Sequence, residues 1–102
     1  MSSSRAYALS QIIKIDKQIT QTSKSLRYRK VQKYTNALRG KTGASLVMVE
    51  DPLNMGTMIQ VRRNSSRAKE YLASYESLLQ DYYDTFEKLN KLKKNYTKEL
   101  FE

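Results

Sequence analysis

ASLVMVEDPLNMGTMIQVRR, residues 44–63, breaks the rhythm of a chain that is otherwise rich in Lys, Tyr and helix formers. β-Branched residues and Met flank Asp51-Pro52-Leu53-Asn54-Met55-Gly56, a combination that reads as two strands and a turn. Pro52 presets φ at the second position of a turn, while Asn54 and Gly56 accept positive φ. The expected strands are Ala44–Glu50 and Thr57–Arg63. Alternation places Val47 and Val49 on one face with Ser45, and Leu46 and Met48 on the other. On the return strand Ile59 and Val61 oppose Met58. Both faces therefore carry apolar side chains. A lone two-stranded hairpin is marginal in water and is open to pairing at both edges. The hairpin is accordingly expected to be an oligomer interface, made by Leu46, Val47, Met48, Val49, Met58, Ile59 and Val61.

On either side the pattern turns helical. No Pro or Gly interrupts residues 5–39. Leu9, Ile12, Asp16, Ile19, Ser23, Leu26 and Lys30 recur at alternating steps of three and four, and Val31, Tyr34 and Leu38 continue the stripe after a phase shift. Ser4 is the expected N-cap, and Gly40 follows a basic last turn as a helix stop. The second segment, 65–101, is more regular. Leu72, Tyr75, Leu79, Tyr82, Phe86, Leu89, Lys93, Tyr96 and Leu100 form a heptad series, flanked by Tyr71, Leu78 and Leu92, with Asn64 or Ser65 as its cap. Each helix would be about 35 residues, or roughly 50 Å at the α-helical rise.

The fold class expected is mainly α. Two long helices form an antiparallel coiled-coil hairpin joined by a central β-hairpin, in a single domain over 1–102. That register pairs Leu9 with Leu100, Ile12 with Tyr96, Ile19 with Leu89, Leu26 with Tyr82 and Tyr34 with Tyr75. It also sets Asp16 against Lys93, a charged seam pair of the kind that specifies register. The off-seam residues Ile13 and Ile15, with the two-sided hairpin, leave apolar surface that so thin a protomer cannot cover.

Charge is lopsided. The chain has 102 residues with net charge +9, from 19 Lys and Arg against 10 Asp and Glu. Residues 1–43 hold ten basic side chains against the single acid Asp16, whereas residues 44–102 hold nine of each sign. A polyanionic or acidic partner is therefore expected at Lys24, Arg27, Arg29, Lys30, Lys33, Arg39, Lys41, Arg62, Arg63 and Arg67. In SLRYRKVQKY, residues 25–34, cations alternate with Tyr28 and Tyr34, which suits phosphate contact with base stacking. Tyr7, Tyr28 and Tyr83 are the tyrosines expected at the surface. No zinc-finger, RNP or helix-turn-helix pattern accompanies them, so any nucleic-acid contact would be electrostatic and sequence-nonspecific.

Catalysis is not expected. The chain lacks Cys and His, which removes disulfides, thiolate metal sites and the commonest general base. RGKTGAS, residues 39–45, imitates a phosphate loop, but its first Gly would fall at Thr35 and it closes a helix instead of opening one. Asp81, Asp84 and Glu87 lie near Lys88 and Lys91, as surface ion pairs commonly do. No cofactor or metal is expected. No apolar run is long enough to span a membrane and no secretory leader is read, so the expected setting is cytoplasm or virion.

The order helix, β-hairpin, helix resembles a β-type prefoldin subunit, which implies an oligomeric chaperone whose helix tips hold a client. The length and two-helix layout are similar to WXG100 hairpins, although the Trp-x-Gly turn is missing and only Tyr83 and Glu87 match. In being small, basic and Cys-free, the chain also resembles virion assembly proteins completed by their neighbours. The function expected is a non-enzymatic assembly subunit of a larger oligomer, with a phage or virus structural component favoured. The alternatives are a prefoldin-like chaperone subunit and a nonspecific nucleic-acid-binding module.

Overall fold

A computed structural model describes residues 2–40 and 43–101. It contains three helices and one antiparallel hairpin: α1 (Ser2–Ser23), α2 (Leu26–Arg39), β1 (Leu46–Asp51), β2 (Asn54–Arg62) and α3 (Ser66–Phe101). These elements fall into two compact units. One comprises Met1–Ser25 with Tyr82–Glu102, the other Leu26–Asp81. Helix α3 contributes its first half to the second unit and the remainder to the first.

The first helical stretch differs from the expected single helix over 5–39. It stops at Ser23 and restarts at Leu26. The interruption falls in Thr20-Gln21-Thr22-Ser23-Lys24-Ser25, where short hydroxyl side chains compete for backbone groups. Ser23 Oγ donates to the Thr20 carbonyl at 2.9 Å, and the Ser25 N–H turns back to the Thr22 carbonyl at 3.1 Å. Helix α1 also begins earlier than expected, so Ser4 lies inside it.

In the first unit, the buried stripe of α1 is displaced from the expected seam. Ile12 and Ile19 of the expected stripe are half-buried, but Ala8, Ile15 and the half-buried Thr22 take the places read for Leu9, Asp16 and Ser23, one residue earlier in each case. Leu9 and Ile13 are exposed instead. Five apolar residues within Leu9–Ile19, with Ala8 before them, allow either stripe. On α3, by contrast, Tyr82, Phe86, Leu89, Lys93, Tyr96 and Leu100 are all half-buried, in step with the heptad. The Tyr7 and Tyr96 rings meet edge to face at 6.0 Å, and Lys93 Nζ lies 2.7 Å from Asp16 Oδ1.

In the second unit, the hairpin packs one face inward. Val47, Val49 and Val61 are buried with Tyr28, Val31, Tyr34, Thr35 and Leu38 of α2 and Ala68, Tyr75 and Leu79 of α3. The pairing runs Leu46 with Arg62, Val47 with Val61, Met48 with Gln60, Val49 with Ile59 and Glu50 with Met58. It then skips to Asp51 with Asn54, which leaves Met55, Gly56 and Thr57 as a bulge. Asp51 Oδ1 accepts the Leu53 N–H at 3.0 Å, the self-closing turn an Asp supplies. Gly56 has φ of 116°, a conformation that disfavours any side chain.

Both ends of the hairpin are tied to helices. Ser65 Oγ accepts the Ala68 N–H at 3.1 Å and caps α3. Arg63 closes α2: its guanidinium donates to the Ala37 carbonyl at 3.1 Å, to the Gly40 carbonyl, and through Nε to the Ala44 carbonyl at 2.9 Å. Gly40 does not take positive φ as a helix-stop glycine commonly does. A side chain there would stand 3.0 Å from the Arg63 guanidinium.

Candidate functional site

The chemistry of the second unit centres on Glu50, which pairs with Met58 on the Leu46–Met48 side of β1 and is nonetheless enclosed by α2 and the bulge of β2. Glu50 is 3% exposed and, among the described residues, is one of two buried polar residues in the core, Thr35 being the other. Burying a carboxylate demands partners, and Glu50 has several. Tyr34 Oη donates to Oε2 at 2.8 Å, Lys30 Nζ lies 3.2 Å from Oε1 and Oε2, and the Gly56 N–H donates to Oε1 at 2.7 Å. Tyr75 Oη donates to the Glu50 carbonyl at 2.6 Å. Helix α2, the bulge of β2 and helix α3 thus converge on one residue. The Tyr34 hydrogen bond, with those from Lys30 and Gly56, holds the Glu50 carboxyl below its ordinary range against the opposing effect of burial. Burial, reinforced by the negative charge of Glu50, pushes Tyr34 and Tyr75 up to about 12.

This arrangement is one of satisfied partners. Among the described residues, no buried side-chain nitrogen or oxygen lacks a hydrogen bond, and no group of three His, Cys, Asp or Glu is gathered as for a metal. A cavity of about 340 Å³, lined by Leu26, Arg27, Lys30, Glu50, Met55 and Gly56, opens beside the cluster.

The residues expected at an oligomer interface separate by face. Val47, Val49 and Val61 are buried within the chain and Ile59 is half-buried, so the chain's own helices already occupy this side. Leu46, Met48 and Met58 are 46%, 52% and 51% exposed and form the other side with Gln60, Arg62 and the enclosed Glu50. The expectation that both faces need a neighbour fails for the side of Val47, Val49 and Val61. Sequence alternation separates the faces but cannot tell which one the helices cover.

The expected cationic residues also divide. Lys30 binds Glu50, Arg39 Nε pairs with Glu76 at 3.0 Å, and Arg63 is committed to backbone carbonyls. Lys24 lies in the other unit, and Lys41 is outside the described residues. Arg27, Arg29, Lys33, Arg62 and Arg67 are exposed residues of the second unit. Lys33 Nζ sits 5.8 Å from the centre of the Tyr34 ring, whose hydroxyl is 3.8 Å from Met58 Sδ. Tyr28, expected at the surface, is instead 8% exposed and accepts a hydrogen bond from Gln32. With Tyr34 also buried, neither tyrosine of residues 25–34 can stack on a base. Tyr7 and Tyr83 are exposed as expected. The Asp16–Lys93 pair forms, with both side chains well exposed.

Glu50 and Arg63 are the structural residues that sequence reading missed. Glu50 breaks the apolar run of β1, which is a signal, but its partners lie 16 and 20 positions earlier. Comparison with family models, curated proteins and solved structures finds no match. Among the described residues, no helix is long and apolar enough to cross a membrane.

Proposed function

We propose that this chain is a non-enzymatic assembly subunit, joined to a neighbouring chain through the outer face of its hairpin and presenting its cations to an acidic or polyanionic partner. The observation that carries the reading is the asymmetry of the hairpin. One face is closed by the chain's own helices, while Leu46, Met48 and Met58 stay about half exposed on the other. An exposed apolar patch rimmed by polar residues is the usual mark of an interaction surface. A phage or virus structural component remains the favoured setting.

The proposal includes antiparallel helix pairing in the protomer. Within the first unit, rising positions of α1 meet falling positions of α3, Tyr7 against Tyr96 and Asp16 against Lys93, which supports that polarity. Native mass measurement of the gently isolated chain tests the assembly reading. Several copies, or a stoichiometric second chain, are expected, and Leu46→Lys with Met48→Lys should release them. A chain isolated alone, with a mass unaffected by those substitutions, removes the reading.

A further inference from the structure

We infer that the neighbour received by the outer hairpin face is an acidic protein segment carrying apolar anchors, and neither a second copy of this chain nor a nucleic acid. This rests on the assembly reading and specifies its partner.

The face is apolar at its centre and basic at both ends. Met48 and Met58 lie between Arg62, the cross-strand partner of Leu46, and the Lys30–Lys33 turn of α2 that Tyr34 connects to Met58. Glu50 offsets Lys30, its ion-pair partner at 3.2 Å, which leaves Arg62 and Lys33 as the cations of this face. Glu50 is enclosed by Lys30, Tyr34 and Gly56, and Asp51 is turned onto its own loop. The surface offered is therefore apolar and positive, and it is complemented by acidic side chains set around apolar ones.

Two other occupants fit less well. A second copy would bring its own Arg62 and Lys33 against the same two cations. Three half-exposed side chains also supply on the order of 300 Å², against about 800 Å² per partner in a standard interface, so apolar contact alone is insufficient. A nucleic acid would use the cations but has no use for the Met and Leu surface, and Tyr28 and Tyr34, the tyrosines interleaved with the cations of α2, are buried. An acidic segment with apolar anchors uses both features at once.

The test is fluorescence polarisation on the full chain with three probes: a labelled peptide alternating Leu and Glu, its Leu–Lys counterpart, and a single-stranded oligonucleotide. The Leu–Glu peptide is expected to bind. Met48→Ser and Arg62→Glu should each weaken it about tenfold or more, as loss of a central contact does, with circular dichroism unchanged. Lys69→Glu, an exposed change on α3, is expected to matter little. Equal binding of the Leu–Lys peptide, indifference to Met48→Ser, or failure of the Leu–Glu peptide to bind overturns the inference. So does an oligonucleotide that competes for the site and is itself weakened by Met48→Ser. If the isolated chain carries a neighbour but the Leu–Glu peptide does not bind, the assembly reading stands and this inference falls. If the peptide binds as expected while the chain is isolated alone, the acidic-segment site stands and the assembly reading falls.

Discussion

Tyr34 donates its phenol hydrogen to the buried carboxylate of Glu50 at 2.8 Å, joining α2 to the turn end of β1. On the other side of the same residue, Tyr75 of α3 holds the Glu50 carbonyl at 2.6 Å. The two rings stand 5.6 Å apart in a tilted contact. One acid with two tyrosines thus ties the hairpin to both helices of its unit, and the consequences are measurable.

Tyr75→Phe keeps the ring and removes only the donor, leaving a buried carbonyl without this partner. The expected loss is roughly 1 to 2 kcal/mol in urea unfolding, the usual cost of one buried hydrogen bond. Tyr75→Ala should cost considerably more, about 3 to 5 kcal/mol, because it also opens a cavity in the core.

The cluster sets two pH limits of opposite sign. The folded-state Glu50 carboxyl is held below its unfolded value of 4.5, so its contribution is present above that value and is lost as pH falls through the depressed value. Tyr34 and Tyr75 are raised from 10.0 to about 12, so their contribution is complete below 10.0 and is lost as pH rises toward 12. Thermal melts across both ranges check this. Glu50→Gln should flatten the acid limb, and Tyr34→Phe should reduce the alkaline one. An acid limb unchanged by Glu50→Gln would assign it to other carboxylates.

The faces of the hairpin should respond differently to truncation. Val49 is fully buried, and Val49→Ala should destabilise by about 1 to 3 kcal/mol. Met48→Ala, on the outer face, should stay within about 0.5 kcal/mol in the isolated chain. Similar losses at both positions would mean that the outer face is covered as well.

Gly56 is a backbone requirement. Nothing lies within 4 Å of a side chain built there, so Gly56→Ala should cost only the strain of its φ of 116°, roughly 1 to 2 kcal/mol in chemical unfolding. A neutral result would show that the bulge relaxes without losing the N–H bond to Glu50.

The Asp16–Lys93 ion pair is solvent-exposed, so a double-mutant cycle with Leu at each position should give a coupling below about 1 kcal/mol that shrinks with salt. A larger, salt-insensitive coupling would assign the pair a dominant part in register.

What the sequence alone determined is local. Alternation over 44–63 defines the hairpin and sorts Val47 and Val49 from Leu46 and Met48, because side chains on a strand alternate in space. The heptad of α3 from Leu72 to Leu100 matches its buried and half-buried stripe, because its apolar residues cluster about that one line. Where choices were several, tertiary structure decided. Ala8 and Ile15 displaced Leu9 and Asp16 in the core of α1, and the hydroxyl-rich turn around Ser23 ended a helix that apolar spacing alone would continue. The burial of Tyr28, the capping of α2 by Arg63 and the enclosure of Glu50 depend on partners far along the chain. Periodicity cannot register such contacts, since it describes how a segment presents its faces and not which neighbour covers them.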